Sequence, residues 1–153
     1  MHIEKRIKTD SNLPISKKVV VNLLFSYGIV NGKLNDALKP HDISIQQFNV
    51  LRILRGQKGK PATLATVQER MINKMSNTTR LIDKLIKKGY VQKEINKNNK
   101  RKIDINITGE GLSFLEKIDT LIDSTEQDIV KTLSNNEAQE LIRLLGKIRL
   151  IAN

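Results

Sequence analysis

The sequence predicts a mostly helical protein with one small β-hairpin, and three observations lead to this fold class. Apolar residues recur every three or four positions in six segments, which is the period of an amphipathic helix. Between residues 91 and 107 the period changes to two, which is the period of a strand. Capping residues, glycines and prolines flank these segments. With 153 residues and 39% hydrophobic content, the chain has the size of a single domain with its own core.

The first predicted helix is long and covers residues 16–38. Ser16 is its expected N-terminal cap, and Pro40 is expected to end it. Its apolar positions follow the helical period: Val20, Leu23, Leu24, Tyr27, Val30, Leu34 and Leu38.

Three shorter helices are predicted next. Ser44 and Gln47 have the spacing of a capping box at the start of the second helix, which Gly56 ends. Thr63 is expected to cap the third, over residues 64–72. The fourth covers residues 75–88 and ends at Gly89. One face of this helix is apolar: Thr78, Leu81, Ile82, Leu85 and Ile86. The opposite face is polar and basic: Ser76, Asn77, Thr79, Arg80, Asp83, Lys84 and Lys87.

A β-hairpin is predicted after the fourth helix. Val91, Lys93 and Ile95 alternate with polar residues, and Ile103, Ile105 and Ile107 do the same. The segment between the two runs, residues 96–102, contains only Asn, Lys and Arg, so it predicts a turn with a basic tip.

Two helices are predicted to end the chain. Thr108 and Gly109 open the first of them, whose apolar stripe is Leu112, Leu115, Ile118, Ile122, Ile129 and Leu133. Ser134 and Glu137 form a second capping-box pattern, and the last helix extends to about Ile151. The acidic residues of this region, from Glu110 to Asp128, are expected to lie on a solvated helix face.

Basic residues concentrate in the middle of the chain. Residues 74–102 contain ten basic and two acidic residues, and so carry +8 of the net charge of +11. Such a local excess indicates a surface for a polyanion. Aromatic residues make up only 3% and Trp is absent. The chain therefore has few side chains on which the bases of a single strand could stack. Duplex DNA is therefore the expected partner.

Two short helices joined by a turn and followed by a basic hairpin predict a winged helix-turn-helix. In this fold the second short helix enters the major groove, where Ser, Asn, Thr and Arg side chains contact base edges. The hairpin contacts the minor groove or the backbone beside it. The expected DNA-binding residues are Ser76, Asn77, Thr79, Arg80, Lys84, Lys100 and Arg101. Lys87 and Lys88 have a second interpretation, as cations that stabilise a helix C-terminus. Ser76 and Asn77 also have one, as residues that cap or solvate the helix start.

The chain resembles the MarR family of bacterial transcription regulators over nearly its whole length. The resemblance depends on Ser44–Leu51, on the string from Thr79 to Val91, and on Ile105–Thr108 followed by Gly111. It implies a DNA-binding lobe at 43–108 and dimerisation helices at 16–39 and 109–153, within one domain of residues 1–153. It also implies an obligate homodimer that represses a palindromic operator. A small, often phenolic, ligand frequently weakens DNA binding in this family, and Tyr27, Phe48 and Arg52 are the candidate ligand-binding residues.

The predicted wing departs from the family pattern at one position. The family carries Asp-x-Arg there, with the Asp positioning the Arg, whereas this chain has Asn99-Lys100-Arg101. An Asn accepts a hydrogen bond without the charge assistance of a carboxylate. We therefore expect Arg101 to be held less firmly.

A dimeric repressor is the leading interpretation of the sequence, and two alternatives remain open. One is a regulator with no small-molecule effector, and another is a winged helix used only for protein–protein contact. An enzyme is not expected, because the chain has no Cys, no phosphate-binding Gly-rich motif and no residues for a second domain. Two histidines, His2 and His41, are too few for a zinc site, so no metal or cofactor is expected. With no apolar span or signal peptide in the sequence, a cytoplasmic protein without membrane association is expected.

Overall fold

The computed structural model describes residues 3–6 and 13–152. Within these residues the chain forms seven α-helices and one two-stranded antiparallel sheet. In chain order the elements are α1 (Ile3–Arg6), α2 (Ile15–Leu38), α3 (Ile45–Arg55), α4 (Leu64–Arg70), α5 (Thr78–Lys87), β1 (Val91–Ile95), β2 (Ile103–Ile107), α6 (Gly109–Val130) and α7 (Asn135–Arg149). Short 3₁₀ turns follow α2 and α7, at Lys39–His41 and Leu150–Ala152. The predicted fold class is confirmed.

The hydrophobic core lies among α3, α4, α5, the hairpin and the first half of α6. Its most buried members come from all of these elements: Val50, Leu51, Val67, Ile82, Leu85, Ile105, Leu115 and Ile118. Because α3 contributes apolar side chains from nearly every turn, it is the central helix of the lobe. The interior of the lobe is therefore completed by side chains of α6.

The predicted start of α2 is wrong by one residue. Pro14 occupies the N-cap position, and its carbonyl oxygen accepts the Lys18 N–H at 3.0 Å. Ser16 lies inside the first turn and makes no side-chain cap. The helix ends at Leu38, just before Pro40, as expected. Ser is a residue type that usually caps a helix, but the fixed φ of Pro14 suits the entry to this one.

The capping box of α3 is confirmed. Ser44 Oγ accepts the Gln47 N–H at 3.1 Å, and Gln47 Oε1 accepts the Ser44 N–H at 2.9 Å. Gly56 follows the last residue of α3, as predicted. The same reciprocal arrangement at Ser134 and Glu137 begins α7.

The two helices of the helix-turn-helix are shorter than predicted. Helix α4 ends at Arg70, two residues early, because Met71 adopts an extended conformation. Helix α5 begins at Thr78, three residues late, because Asn77 is its cap. The intervening turn is fixed by Asn73, whose Oδ1 accepts the Met75 N–H at 3.0 Å.

The base of the hairpin is fastened to both sides of the lobe. Ala62 and Ile105 exchange two backbone hydrogen bonds of 2.9 and 2.8 Å. On the other side, the Thr108 hydroxyl donates to the Gly89 carbonyl oxygen at 2.6 Å. Gly111 allows α6 to approach closely, since a Cβ there would lie 2.4 Å from the Tyr90 carbonyl oxygen. The hairpin is thus held rigidly at its base.

An ion pair joins the lobe to α6. Arg55 of α3 donates two hydrogen bonds to Asp119, at 2.5 and 3.2 Å, and both side chains are about one-third exposed. The hydrogen bond to Asp119 raises the pKa of Arg55 above its ordinary value. Asp119 belongs to the acidic run that was expected to be fully solvated, so that expectation is wrong at this residue.

The terminal helices leave much of their apolar surface uncovered. Helix α7 has no buried residue, although Leu141, Ile142, Leu144 and Ile148 lie on it. Helix α2 buries only Leu38 and exposes Val20, Leu24, Tyr27 and others. At the start of the chain, Arg6 lies over the ring of Phe25, 5.3 Å from its centroid. A single chain therefore presents a large unpartnered apolar surface at its two ends.

Candidate nucleic-acid interface

Helix α5 has two faces of opposite character. Ile82 and Leu85 are fully buried in the core, and Thr78 is almost so. Thr79, Arg80, Lys84 and Lys87 on the other side are exposed. A helix anchored along one face presents the other as a fixed row of side chains. Because α5 is the helix expected to contact base edges, we call it the reading helix.

The start of the reading helix is set by its cap. Asn77 Oδ1 accepts the Arg80 N–H at 3.1 Å, and the Asn77 carbonyl oxygen accepts the Leu81 N–H at the same distance. The positive end of the helix dipole and the remaining free N–H groups therefore point outward from this end. This is the local arrangement that favours a phosphate.

Two open grooves flank the start of the reading helix and contain the five residues predicted there. One groove, of about 360 Å³, is lined by Gln46, Asn73, Ser76, Asn77, Arg80, Leu81 and Lys84. The other, of about 460 Å³, is lined by Leu64, Ala65, Gln68, Ser76, Asn77, Thr78 and Thr79. Ser76 and Asn77 belong to both grooves, so these residues form one continuous surface.

Ser76 and Asn77 do not lie on the helix face where the sequence pattern put them. Both precede the first turn, and Asn77 uses its side-chain oxygen for the cap. Ser76 Oγ is inaccessible to solvent and has no hydrogen-bond partner among the described residues. A hydroxyl in that state is an unmet donor beside an open groove.

Residues that the sequence interpretation missed hold the helix-turn-helix together. Gln68 of α4 accepts a hydrogen bond from the Thr78 hydroxyl and donates another to the Lys74 carbonyl oxygen. Asn49 of α3 accepts the Ile72 N–H at 2.9 Å. Sequence spacing gives no signal for these bonds, because Asn49 and Ile72 are 23 positions apart.

The wing tip, residues 96–102, is organised by Asn96. Its Oδ1 accepts the N–H groups of Asn98 and Asn99, at 2.9 and 2.8 Å. Its amide donates to both carboxylate oxygens of Asp104, at 3.1 and 3.0 Å. One side chain therefore fixes the turn and ties it to β2.

Asn99 does not act on the Arg101 guanidinium. Its Oδ1 accepts the backbone N–H of Arg101 at 3.1 Å, and its carbonyl oxygen accepts the Lys102 N–H at 2.9 Å. Within the described residues the guanidinium makes no hydrogen bond or ion pair. Asn99 shapes the backbone of the tip and leaves the Arg101 side chain exposed.

Three of the ten cations in residues 74–102 are engaged within the chain. Lys74 donates to the Glu69 carbonyl oxygen, Lys93 pairs with Asp83 at 2.6 Å, and Lys88 pairs with Asp42 at 2.5 Å. The hydrogen bond from Lys88, together with its charge, holds the pKa of Asp42 below its ordinary value. Lys88 therefore has an ion-pair partner within the chain, which supports a structural role for this residue.

The other seven cations make no hydrogen bond or ion pair with any residue in the part of the chain that is described. They are Arg80, Lys84, Lys87, Lys97, Lys100, Arg101 and Lys102. Lys93 also links the wing to the reading helix, because Asp83 belongs to α5. The predicted residues Lys100 and Arg101 thus lie on the wing and Arg80 lies on α5. The Lys93–Asp83 ion pair joins these two elements.

The candidate ligand residues fall in two small neighbouring cavities. Phe48 and Arg52 line one of about 80 Å³, where Arg52 lies 5.7 Å from the Phe48 ring centroid. Tyr27 lines the other, of about 70 Å³. Ile45, Asn49 and Ile72 line both. Each is far below the roughly 300–1,000 Å³ typical of ligand pockets.

The described residues contain neither a metal-binding cluster nor a membrane-spanning helix. No group of three or more His, Asp or Glu side chains within residues 3–6 and 13–152 could hold a metal ion. His41 lies in the turn after α2, and His2 lies outside the described residues. In the same part of the chain, no helix has the length and hydropathy to cross a membrane.

Known proteins of one family are similar to most of this chain. The MarR family model matches residues 43–103. The multiple antibiotic resistance protein MarR of Escherichia coli K12 is 30% identical over 75% of this chain and 79% of its own length. The HTH-type transcriptional regulator PecS of Dickeya dadantii is 25% identical over 90% of this chain and 84% of its own length.

A solved structure of a cysteine-to-serine mutant of E. coli MarR, complexed with operator DNA, is also similar. It superposes with a TM-score of 0.78 at 27% identity, covering 90% of this chain and 99% of that one. Of these two curated relatives, PecS is named as an HTH-type transcriptional regulator, and neither is named as an enzyme.

Proposed function

This chain belongs to the MarR family of transcription regulators, and from that premise we propose that it is a dimeric, sequence-specific DNA-binding protein that represses a pseudo-palindromic operator. It is a DNA-binding regulator and not an enzyme. The observation that carries the finer proposal is the reading helix, whose apolar face is buried and whose exposed face carries unpaired cations beside a basic wing.

The reading helix fits the major groove in size and chemistry. An α-helix with its side chains is about 10–12 Å across, and the groove is about 12 Å wide. Arg80 is the residue on the exposed face that is suited to a bidentate contact with guanine, and Thr79 is beside it. Phosphate contacts are assigned to Lys84 and to the Ser76–Asn77 segment, where Ser76 Oγ still needs a partner.

The wing supplies the second contact. Lys100 and Arg101 extend from a tip whose backbone is fixed by Asn96, so little backbone conformational entropy is lost on binding. A guanidinium suits the narrow, electronegative minor groove. In this proposal Arg101 enters that groove while α5 occupies the major groove next to it.

The dimer is assigned to the terminal helices. The uncovered apolar residues of α2 and α7 are too extensive for a stable monomer surface, and a second copy of the chain is the partner with matching surfaces. Twofold symmetry then sets two reading helices about 34–36 Å apart, or a multiple, on one side of the duplex. That spacing predicts a pseudo-palindromic site. The proposed location is the cytoplasm, where such a regulator meets bacterial promoter DNA.

Selection of duplexes from a random pool tests the proposal. The wild-type protein should enrich a pseudo-palindrome, and its affinity should fall steeply as salt rises, because about 0.9 counterions are released per phosphate contact. A matched protein with Arg80, Lys100 and Arg101 changed to Ala should enrich nothing. A wild-type protein that enriches no sequence, or whose binding ignores salt, would favour the alternative of a protein–protein module.

Release by a small aromatic ligand is a second proposal, and one contact favours it. Asn49 and Ile72 line both small cavities, and the hydrogen bond between them fixes the segment before the reading helix. A ligand that widened and joined the two cavities, one lined by Tyr27 and the other by Phe48 and Arg52, would strain this bond and shift α5. A panel of simple phenols and hydroxybenzoates should therefore weaken DNA binding by the wild type and not by Arg52→Leu. No response to any of them would favour a regulator without an effector.

A further inference from the structure

The outer end of the wing carries an apolar pair that the single chain leaves uncovered. Ile95 of β1 stands directly opposite Ile103 of β2, and their exposed fractions are 68% and 51%. They form the last pair before the tip, which is closed by the Asn96 N–H donating to the Lys102 carbonyl oxygen at 3.0 Å. Hydrogen-bonded and non-hydrogen-bonded pairs alternate, so Ile95 and Ile103 occupy a non-hydrogen-bonded position, where side chains are closest. Together they make one aliphatic ridge.

This ridge lies on the face of the hairpin that packs against the lobe. Side chains two positions apart share a face, so Ile95 is aligned with Lys93 and Val91. Val91 is buried in the core, and Lys93 reaches Asp83 on the reading helix. From the core outward, this face thus carries the buried Val91, then Lys93 with its ion pair to α5, and then the exposed ridge. The ridge continues the surface that begins with the reading helix.

Strand propensity alone does not account for the ridge. Thr is β-branched like Ile and suits an exposed strand, so two solvent-exposed isoleucines are not required by the backbone. A partner that covers them must also accept four neighbouring cations, at Lys97, Lys100, Arg101 and Lys102. Duplex DNA has that combination, because the apolar deoxyribose walls of its minor groove lie between two rows of phosphates.

We propose that the Ile95–Ile103 ridge packs against the deoxyribose wall of the minor groove when the wing binds DNA. The inference rests on the proposed function and adds an apolar contact to a wing otherwise assigned to cations. Burial of aliphatic surface releases no counterions, so this contact strengthens binding equally at low and high salt. The cations of the tip make the salt-dependent contribution. Salt dependence therefore separates the two contributions.

The test is a salt series of DNA binding, using the duplex that the wild type selects and a random duplex of equal length. The main variant is Ile95→Thr/Ile103→Thr, which keeps β-branching and removes aliphatic surface. Ile95→Val/Ile103→Val keeps most of that surface, and Gln92→Thr introduces the same residue type on the opposite face of the hairpin without removing an aliphatic side chain. Arg101→Ala is the cationic comparison. Amide NMR spectra verify that each hairpin is folded.

The double Thr variant should bind both duplexes about tenfold more weakly at every salt concentration, with an unchanged slope. That factor corresponds to about 60 Å² of buried aliphatic surface. The double Val variant should lose about twofold or less, and Gln92→Thr should bind like the wild type. Arg101→Ala should lower the slope by about 0.9.

Wild-type affinity in the double Thr variant, while the wild type binds DNA normally, would overturn the inference and leave the proposed function intact. No DNA binding by the wild type would overturn both. Phosphatidylglycerol vesicles form the last arm. Vesicle binding that the Thr changes weaken, together with unaltered DNA binding, would assign the ridge to an anionic lipid surface instead.

Discussion

The DNA-binding lobe and the terminal helices place their apolar residues in opposite ways. Among the described residues, most of the buried hydrophobic side chains lie in the lobe, whereas most of the exposed large ones lie on α2, α6 and α7 or the segments beside them. Charge divides similarly: residues 74–102 are strongly basic, and residues 103–153 have nine acidic against five basic residues. The lobe, together with the first half of α6, thus buries its apolar side chains and keeps an excess of positive charge. The terminal helices lack that basic excess and leave apolar side chains exposed, so the two regions indicate different partners.

The contrast between the lobe and the terminal helices is tested most directly by mutations in α7. In Leu141→Asp/Ile148→Asp, two charges replace apolar side chains that lie two turns apart on a helix with no buried residue. We expect a monomer of 17.4 kDa by sedimentation equilibrium, and at least a hundredfold loss of affinity for the selected duplex, because one half-site is lost. Gln139→Glu adds a charge to the same helix outside this stripe and should remain a dimer. A dimeric double-Asp variant would show that α7 is not the interface.

Substitution of Arg80 tests whether the exposed cations of the lobe bind DNA. Arg80→Ala should weaken binding to the selected duplex by roughly 1–3 kcal/mol and reduce the preference over random DNA. The free energy of unfolding should not change, because the side chain is exposed and unpaired. Lys87→Ala, at the far end of the same helix, should have a smaller effect on binding. Equal affinity in the wild type and Arg80→Ala would remove this residue from the interface.

Asn96 tests whether the lobe presents its cations in a fixed arrangement. Asn96→Ala removes the acceptor of two backbone N–H groups and the donors to Asp104. With the tip disordered before binding, we expect a three- to tenfold loss of affinity for both duplexes and the same salt slope, since every cation remains.

Asn98→Ala is the matched control, because the Asn98 side chain makes no hydrogen bond with the residues described. It should bind like the wild type. Amide chemical shifts of residues 97–102 should change in the first variant only. An ordered tip in Asn96→Ala would contradict the assigned role of this residue.

The smallest expected effect is a pH dependence in α7. Hydrogen bonds from the Ser134 backbone N–H and hydroxyl lower the pKa of Glu137 below its ordinary value. A carboxyl group with a lowered pKa in the folded state stabilises the fold above its unfolded pKa, and this stabilisation is lost as pH falls through the folded value.

Glu137→Gln should therefore lower Tm slightly at pH 7 and leave it unchanged near pH 2. Thermal unfolding of both proteins across this range is the measurement. An equal difference at both pH values would show that the charge of Glu137 contributes nothing to the cap.

Local signals predicted most of the fold. The capping boxes at Ser44 and Ser134 and the change from helical to strand period at Val91 each depend on a few neighbouring residues, and all were found. The misses also have local causes. Ser16 is a good capping residue, but Pro14 already fixed the entry to α2. At Asn77, capping was one of two interpretations open from the sequence, and this residue is the cap of α5.

The contacts that position the candidate site were not predictable from spacing. The pairs Arg55–Asp119 and Lys88–Asp42 span 64 and 46 positions, and their partners meet only after the core has formed. The hydrogen bond between Gln68 and Thr78 depends on the angle between α4 and α5, which no local pattern determines. Residue type and period predicted which cations are present. Only the three-dimensional arrangement separated the three that are engaged from the seven that are exposed.

Hydroxyl-radical footprinting on the duplex that the protein selects tests the central claim most directly. If the terminal helices hold two lobes together and each lobe binds DNA through α5 and its wing, the footprint will be twofold symmetric. Two protected half-sites should lie about 10 base pairs apart, or a multiple, with minor-groove protection beside each. A single asymmetric protected segment would contradict the account.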